Sequence, residues 1–222
     1  MSKSITIALD VMSGDNGPEA ALNGAVKSLE NHNDLNVILI GDKKIINIFT
    51  DSLDSSIKKR IAIEHTEEYI RMDEDVMHSI RNKKKSSMRI AINCVKQNKA
   101  DACVSAGNTG ALMSLSKIIL KTISGIDRPA ICTSLPTKKG FMQVLDLGAN
   151  IECDAENLFQ FAVMGSAVVE SLEVTKKPRV GLLNIGSEEF KGKNEIKSAA
   201  DLLNTSNLNY VGFVEGDQMF SG

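Results

Sequence analysis

The sequence predicts an α/β protein with three layers, α/β/α, built around a mostly parallel sheet. Short apolar runs that suit buried strands alternate with segments whose apolar residues recur every three or four positions, as in amphipathic helices. Short loops join these segments, which is the pattern of strands linked by crossover helices. The 222 residues can bury a sizeable core and contain no internal repeat or linker. We therefore expect a single α/β domain over residues 1–222.

Predicted strands and helices alternate along the whole chain. The strands are expected at residues 5–9, 37–40, 61–63, 102–104, 129–135, 142–147, 180–184 and 210–214. The helices are expected at residues 18–29, 43–49, 86–95, 109–119, 158–172 and 196–203. The clearest helix covers residues 86–95, because its apolar residues share one face: Met88, Ala91, Ile92 and Val95. Residues suited to capping precede three helices, namely Thr109, Asp154, and either Ser86 or Ser87.

Charge and composition exclude several classes of function. With 26 basic and 28 acidic residues the net charge is −2, so no overall field favours nucleic acid. The absence of Trp, with only two Tyr and seven Phe, argues against base-stacking platforms. The four cysteines form no CxxC pair and have no histidine at metal-ligand spacing, so we expect neither a metal nor another cofactor.

The sequence also predicts a cytoplasmic protein. No apolar run approaches the roughly 18 residues of a membrane span. The N-terminal residues do not resemble a signal peptide. Unpaired cysteines of this kind suit a reducing compartment.

The segment that follows the predicted strand at residues 102–104 is a candidate anion site. Ser105 ends the strand, Gly107 and Asn108 suit a tight loop, and Thr109 begins a helix. Free backbone N–H groups and the positive end of the helix dipole converge at such a helix start. An ordinary strand-to-helix connection would explain the same small residues, so both interpretations stay open.

A second candidate anion site lies at the start of the helix over residues 86–95. Ser86, Ser87 and Arg89 would supply two hydroxyls and a guanidinium beside free backbone donors. The surrounding basic block, residues 81–89, has a simpler explanation as a solvated surface. That explanation accounts for some of the lysines and less well for the serines and the arginine.

Four loops rich in small polar residues follow predicted strands, at residues 10–16, 105–109, 146–150 and 184–194. Ligands of open parallel sheets bind beyond the carboxyl ends of the strands. We therefore expect a single crevice. Five residues would shape it and two lysines would serve as mobile cations: Asp10, Asp15, Asn16, Asp146 and Asn150, with Lys191 and Lys193.

Several segments form a combination that is specific to one family. They are residues 10–18 (DVMSGDNGP), 84–89 (KKSSMR), 105–113 (SAGNTGALM), 146–150 (DLGAN), 160–165 (QFAVMG), 180–186 (VGLLNIG) and 214–216 (VEG). Together they resemble the bacterial phosphate acyltransferases of phospholipid synthesis. The resemblance implies transfer of a fatty acyl group from acyl carrier protein to inorganic phosphate. It also implies a fold similar to phosphotransacetylases and isocitrate-type dehydrogenases, a homodimer, and peripheral contact with the inner face of the membrane.

The implied chemistry asks for charge stabilisation rather than for a protein nucleophile. Phosphate itself attacks the thioester, so the protein holds two reactants together and stabilises the oxyanion. We expect catalytic roles for Asn16, Asn108, Asp146 and Asn150. We expect the substrates to be bound by Asp10, Asp15, Ser86, Ser87, Arg89, Ser105, Thr109, Lys191 and Lys193.

Two features depart from the pattern of that family. Its first loop usually reads Asp-Ala-Met-Gly-Gly-Asp-His-Ala-Pro, whereas Ser13 and Asn16 replace a glycine and the histidine here. Asparagine cannot exchange a proton near neutral pH. The family also continues beyond the equivalent of Gly222, so the chain is expected to match the N-terminal two-thirds of the catalytic domain. A non-catalytic remnant is therefore an alternative, and a dehydrogenase of related fold is a weaker one.

Overall fold

A computed structural model describes residues 4–150, 152–172, 175–185 and 193–222. The chain forms two compact units, Met1–Lys121 and Thr122–Gly222. The sequence gives no sign of this division, because the residues around position 121 do not have the composition of a linker. The single domain expected over residues 1–222 stays a prediction.

The first unit is built on a four-stranded parallel sheet with the strand order β3-β2-β1-β4. Asp10, at the end of β1, lies in register with Ile40 of β2 and Ser105 of β4. Because the strands are parallel, the loops that follow them lie at one edge of the sheet. The four strands are β1 (Ile5–Asp10), β2 (Leu35–Gly41), β3 (Ile61–His65) and β4 (Ala102–Ser105).

Six helices cover both faces of this sheet. Successive side chains of a strand point to opposite faces. Val37 and Leu39 pack in one core cluster with residues of α1, α2 and α3, whereas Ile40 packs in another with Ala91 of α5. This arrangement confirms the α/β/α layering within the first unit. The helices are α1 (Gly17–Asn31), α2 (Lys43–Thr50), α3 (Ser55–Lys58), α4 (Val76–Asn82), α5 (Ser87–Lys96) and α6 (Thr109–Leu120).

In the part of the second unit that the structure describes, there are two small sheets and three helices. Strands β5 (Cys132–Thr137) and β6 (Gly140–Leu145) form an antiparallel hairpin, and β7 (Arg179–Leu183) pairs in parallel with β8 (Asn209–Val214). Two α-helices and a short 3-10 helix accompany them: α7 (Ala155–Ser171), α8 (Asn194–Asn204) and Gln218–Ser221. The core cluster of this unit joins β7 to α8 through Leu182, Ala199, Ala200 and Leu203.

The predicted fold class is confirmed, and several elements differ from expectation. Strand β6 ends at Leu145, two residues before its expected end, and α7 begins at Ala155, three residues before its expected start. Strand β5 begins at Cys132, so residues 129–131 precede it. Helices α3 and α4 were not predicted, because they span only four and seven residues and show no sustained apolar stripe. The strands of the described residues form three sheets instead of one. Periodicity could not predict this, because it identifies an extended segment without identifying the strand it pairs with. Among the helices in the described ranges, none has the length and apolar character needed to cross a membrane.

The N-cap of α7 provides a test of local helix stability. Asp154 Oδ1 accepts a hydrogen bond from Asn157 N at 2.8 Å, which confirms the predicted cap. We expect Asp154→Ala to lower the free energy of unfolding by about 1 kcal/mol in urea titrations, because a helix N–H loses its acceptor. Asp54 precedes α3 without a capping bond, so Asp54→Ala is the matched control. Equal losses in the two variants would contradict the capping role.

Candidate anion-binding site

A buried carboxylate joins the ends of β1 and β4. Asp10 is fully buried, its Oδ2 accepts a hydrogen bond from Ser105 Oγ at 2.7 Å, and its Oδ1 accepts one from Met12 N at 3.2 Å. Ser105 Oγ also accepts a hydrogen bond from Gly107 N at 3.1 Å. Two of the predicted site residues, Asp10 and Ser105, are thus brought together. Their hydrogen bonds hold the two loops to each other.

The loops that follow β1 and β4 meet at Gly107. A Cβ atom on this residue would lie 2.6 Å from Ser13 Cβ and 2.9 Å from Met88 Cε, which is too close for real atoms. Gly14, with φ of +108°, lies against Ala106 in the same way, with 3.0 Å between the added Cβ and Ala106 Cβ. Since Met88 belongs to the first turn of α5, the start of α5 adjoins the loop that leads into α6.

The N-cap of α6 is Asn108, and the prediction that Thr109 caps this helix is wrong. Asn108 Oδ1 accepts a hydrogen bond from Ala111 N at 3.0 Å, and Asn108 Nδ2 donates one to Met72 O at 3.1 Å. Thr109 is already the first helical residue, and its side chain is exposed. The cap leaves the N–H groups of Thr109 and Gly110 without an intrahelical acceptor. The start of α6 therefore keeps two backbone donors.

Two buried serines begin α5. Ser86 and Ser87 are fully buried, and neither hydroxyl has a hydrogen-bond partner within the part of the chain that the structure describes. Ser86 occupies the N-cap position, as one of the two predicted alternatives, but its side chain makes no capping bond. A serine at an N-cap normally accepts a hydrogen bond from the backbone two or three residues on. Here that capacity is unused.

The backbone before α5 is held by Glu68. Lys85 N donates to Glu68 Oε1 at 2.7 Å, and Ser87 N donates to Glu68 O at 2.8 Å. Ile90 N donates to Ser86 O at 3.0 Å, which leaves the N–H groups of Met88 and Arg89 without an intrahelical acceptor. Two hydroxyls and two N–H groups at one helix start can bind an anion.

The guanidinium of Arg89 is partly committed to the fold. Its Nη2 donates to Ile80 O at 2.6 Å, near the end of α4, while its Nε is buried and has no partner among the described residues. Arg89 therefore adds positive charge beside Ser86 and Ser87. It also ties α5 to α4.

Two more predicted site residues lie in the first unit. Asp15 and Asn16 are exposed, in the loop that leads into α1. Asn16 is the N-cap of α1 and makes no side-chain capping bond. The roles of both residues at the site stay predictions.

Asp146 and Asn150 belong to the second unit. Asp146 Oδ2 accepts hydrogen bonds from Asn150 N at 2.9 Å and Asn150 Nδ2 at 2.7 Å, and its Oδ1 accepts from Ile131 N at 3.3 Å and Ala149 N at 3.2 Å. Asn150 Nδ2 also donates to Pro129 O at 3.1 Å. The loop follows the antiparallel strand β6. The expectation that it follows a strand of the same parallel sheet as β1 and β4 is wrong, because strand pairing could not be read from periodicity.

A crevice of about 530 Å³ lies in the second unit, beyond the ends of β7 and β8. Lys193, one of the predicted cations, lines it at the N-cap position of α8. Lys191, the other predicted cation, lies outside the described residues. The other lining residues are three apolar side chains, two acidic ones, an asparagine and a glycine: Leu183, Ile185, Ile196, Glu215, Asp217, Asn184 and Gly216.

The cysteines do not have the character of nucleophiles. Burial raises the pKa of the Cys103 thiol, and the nearby Asp10 carboxylate raises it further. Burial also raises the pKa of the other three thiols, at Cys94, Cys132 and Cys153. A raised pKa keeps a thiol protonated at neutral pH. Within the described ranges, no three His, Cys, Asp or Glu side chains are grouped to hold a metal ion.

Comparison with known proteins identifies the family. Residues 5–222 match the family model described as "Fatty acid synthesis protein". The chain belongs to this family. Its curated relatives include the "Phosphate acyltransferase" of Methylococcus capsulatus, 50% identical over 217 residues, or 98% of this chain and 64% of the relative. The protein of the same name from Hydrogenovibrio crunogenus is 50% identical over 222 residues, or 99% of this chain and 65% of the relative.

Solved structures show the fold that this chain shares. The EutD phosphotransacetylase of Staphylococcus aureus matches with a TM-score of 0.67 at 18% identity, covering 96% of this chain and 69% of that one. A branched-chain phosphotransacylase of Enterococcus faecalis matches with a TM-score of 0.58 at 15% identity, covering 95% and 67%. These likenesses confirm the predicted phosphotransacetylase-like fold.

Two residues at the candidate site were not predicted. Ser13 is 2% exposed and its hydroxyl has no hydrogen-bond partner in the described ranges, although its position in a loop of small residues was visible in the sequence. Glu68 holds the backbone before α5 from a loop with no motif. No sequence signal pointed to Glu68, because its contacts are long-range.

The contact at Gly107 gives a test of the site's architecture. We expect Gly107→Ala to lower the free energy of unfolding by about 1–3 kcal/mol, because the new methyl group would overlap Ser13. Ser13→Gly in the same chain should recover part of the loss, since it removes one of the two clashing atoms. Gly24→Ala is the control, because a Cβ there meets no atom within 4 Å. No recovery in the double variant, measured by urea denaturation, would contradict the proposed contact.

The Asp146 carboxylate provides a second test, in the second unit. Asp146→Asn replaces one acceptor oxygen by an amide donor that faces backbone N–H groups, so we expect a loss of about 1–3 kcal/mol in unfolding free energy. Asp217→Asn is the control, because Asp217 is exposed. A thermal midpoint for Asp146→Asn as high as that of the control would contradict an organising role for this carboxylate.

Proposed function

We propose that the chain is an acyltransferase that moves a fatty acyl group from acyl carrier protein to inorganic phosphate. The observation that carries this proposal is the pair of buried, unpartnered hydroxyls of Ser86 and Ser87 at the start of α5. The relatives named phosphate acyltransferase and the family description support the same reaction. The chain spans 64% of the first relative, so the activity of the whole enzyme is proposed for it rather than observed.

The energetics favour a bound anion at the start of α5. A buried hydroxyl without a partner costs about 1–3 kcal/mol, and the chain carries that cost at both Ser86 and Ser87. Phosphate oxygens would accept from these hydroxyls and from the N–H groups of Met88 and Arg89. The helix dipole and the Arg89 guanidinium would add attraction for negative charge.

The reaction needs no nucleophile from the protein. An oxygen of phosphate attacks the carbonyl carbon of the acyl thioester, and a C–O bond forms as the tetrahedral oxyanion develops. The oxyanion then collapses to re-form the carbonyl as the C–S bond breaks, and the carrier thiolate leaves and takes up, through solvent, the proton that hydrogen phosphate releases. Backbone donors stabilise such oxyanions. In this proposal the N–H groups of Thr109 and Gly110 supply that stabilisation, and Asn108 positions them as the cap of α6.

The remaining roles are proposals inferred from where these residues stand in the sequence. Asn16, Asp146 and Asn150 would act in catalysis, and Asp10, Asp15, Ser105, Lys191 and Lys193 would bind or position the substrates. The acyl phosphate would serve phospholipid synthesis. The protein would act as a homodimer in the cytoplasm, in peripheral contact with the membrane.

The direct test is phosphate-dependent loss of the acyl thioester. The purified chain is incubated with acyl-acyl carrier protein, with and without inorganic phosphate, and both the free carrier thiol and the acyl phosphate are measured. Thiol and acyl phosphate appearing in equal amounts, and only with phosphate, are the expected result. Absence of both products would favour a non-catalytic remnant, and thiol without acyl phosphate would indicate a thioesterase.

Ser87→Ala provides the residue-level test. A hydrogen bond to a charged group is worth about 1.5–3 kcal/mol, so we expect the dissociation constant for phosphate to rise at least about tenfold. Ser166→Ala is the matched control, because Ser166 is also buried but its hydroxyl donates to Glu170 Oε1 at 3.3 Å. Arg89→Ala is less informative, since it also removes the bond to Ile80. Equal phosphate affinity in Ser87→Ala and in the parent chain would contradict the assignment.

A further inference from the structure

We propose that Ser13 is a further phosphate ligand, whose hydroxyl donates to the anion bound at the start of α5. This inference rests on the proposed function, because it concerns the same site. It adds a residue from the loop after β1 to the donors that α5 supplies.

The hydroxyl of Ser13 is buried but makes no hydrogen bond with the described residues. Only 2% of the residue is exposed, and Oγ has no hydrogen-bond partner among the described residues. The buried Ser79 of the same unit, by contrast, has a partner: its Oγ donates to Glu74 Oε2 at 2.7 Å. Alanine at position 13 would fill nearly the same space without a buried unpaired hydroxyl. The hydroxyl therefore points to a ligand.

The position of Ser13 agrees with that role. Its side chain packs on Gly107, with Oγ 3.1 Å from the place that a Cβ of Gly107 would occupy. Met88, in the first turn of α5, contacts the same glycine. Ser13 thus lies where the loop before α6 meets the start of α5.

The loop that carries Ser13 is fixed on both sides. Met12 N donates to Asp10 Oδ1 at 3.2 Å, and Met12 Sδ accepts from Asp42 N at 3.3 Å. Gly14 lies against Ala106. A hydroxyl on a fixed loop can bind a ligand without first ordering the chain.

The negative charge of Asp10 does not prevent an anion from binding near Ser13. Both of its carboxylate oxygens accept hydrogen bonds, one from Ser105 Oγ and one from Met12 N. Asp10 is nevertheless a negative group three residues from Ser13, and it would repel phosphate. A hydroxyl donor at position 13 would offset part of that repulsion.

The experiment compares Ser13→Ala with Ser79→Ala in the full 222-residue chain. Binding of inorganic phosphate is measured by calorimetry, and thermal midpoints are measured with and without phosphate. For Ser13→Ala we expect the dissociation constant for phosphate to rise about tenfold, with a midpoint in the absence of phosphate that is unchanged or higher. For Ser79→Ala we expect the reverse, a lower midpoint and an unchanged dissociation constant, because Glu74 loses a hydrogen-bond donor.

Three outcomes would overturn the role of Ser13. They are an unchanged phosphate affinity in Ser13→Ala, a thermal midpoint that falls as far as in Ser79→Ala, and a parent chain that does not bind phosphate. Failure of the proposed reaction is distinguishable from these. A parent that binds phosphate through Ser13 but forms no acyl phosphate would overturn the reaction alone. A chain that forms acyl phosphate with the same phosphate KM in Ser13→Ala would overturn the role of Ser13 alone.

Discussion

The hydrogen bond between Asp10 and Ser105 is the interaction on which the first-unit site depends. It joins the ends of two neighbouring parallel strands in the protein interior, where an unpaired carboxylate would be costly. Asp10 also accepts a hydrogen bond from Met12 N, and Ser105 accepts one from Gly107 N. The paired side chains therefore fix the backbone of the loops that follow both strands. Because these loops set the position of Ser13 and the start of α6, the buried carboxylate acts on the site through the backbone.

The start of α5 shows how stability and function oppose each other in this fold. If stability alone determined the sequence here, Ser86 would cap the helix or both serines would be replaced by apolar residues of similar size. The chain instead buries the hydroxyls of Ser86 and Ser87 without partners among the described residues. Functional sites commonly retain such unfavourable arrangements, because the ligand supplies the missing interactions.

Sequence patterns predicted the fold class and most elements, whereas the roles of the candidate site residues stay predictions. Apolar periodicity located α5 correctly, and Met88, Ala91 and Ile92 are buried as expected. Strand partners and the two compact units could not be predicted, because both depend on contacts between residues far apart in the chain. For the same reason, the sequence could not show that Asp146 belongs to the second unit and Asp10 to the first. Asn108 caps α6 instead of Thr109. Both residues suit an N-cap position, and only their backbone angles determine which of them precedes the first helical residue.

Glu68 holds the residues on both sides of Ser86, through its carboxylate to Lys85 N and through its carbonyl to Ser87 N. The main chain at the start of α5 is therefore ordered during folding and not on encounter with a ligand. A flexible phosphate-binding loop would lose conformational entropy on binding. Here that entropy is already lost in the free protein. In the proposed function, recognition of the anion at this helix start would therefore be closer to lock-and-key than to induced fit, and its rate would depend on diffusion and dehydration rather than on loop closure.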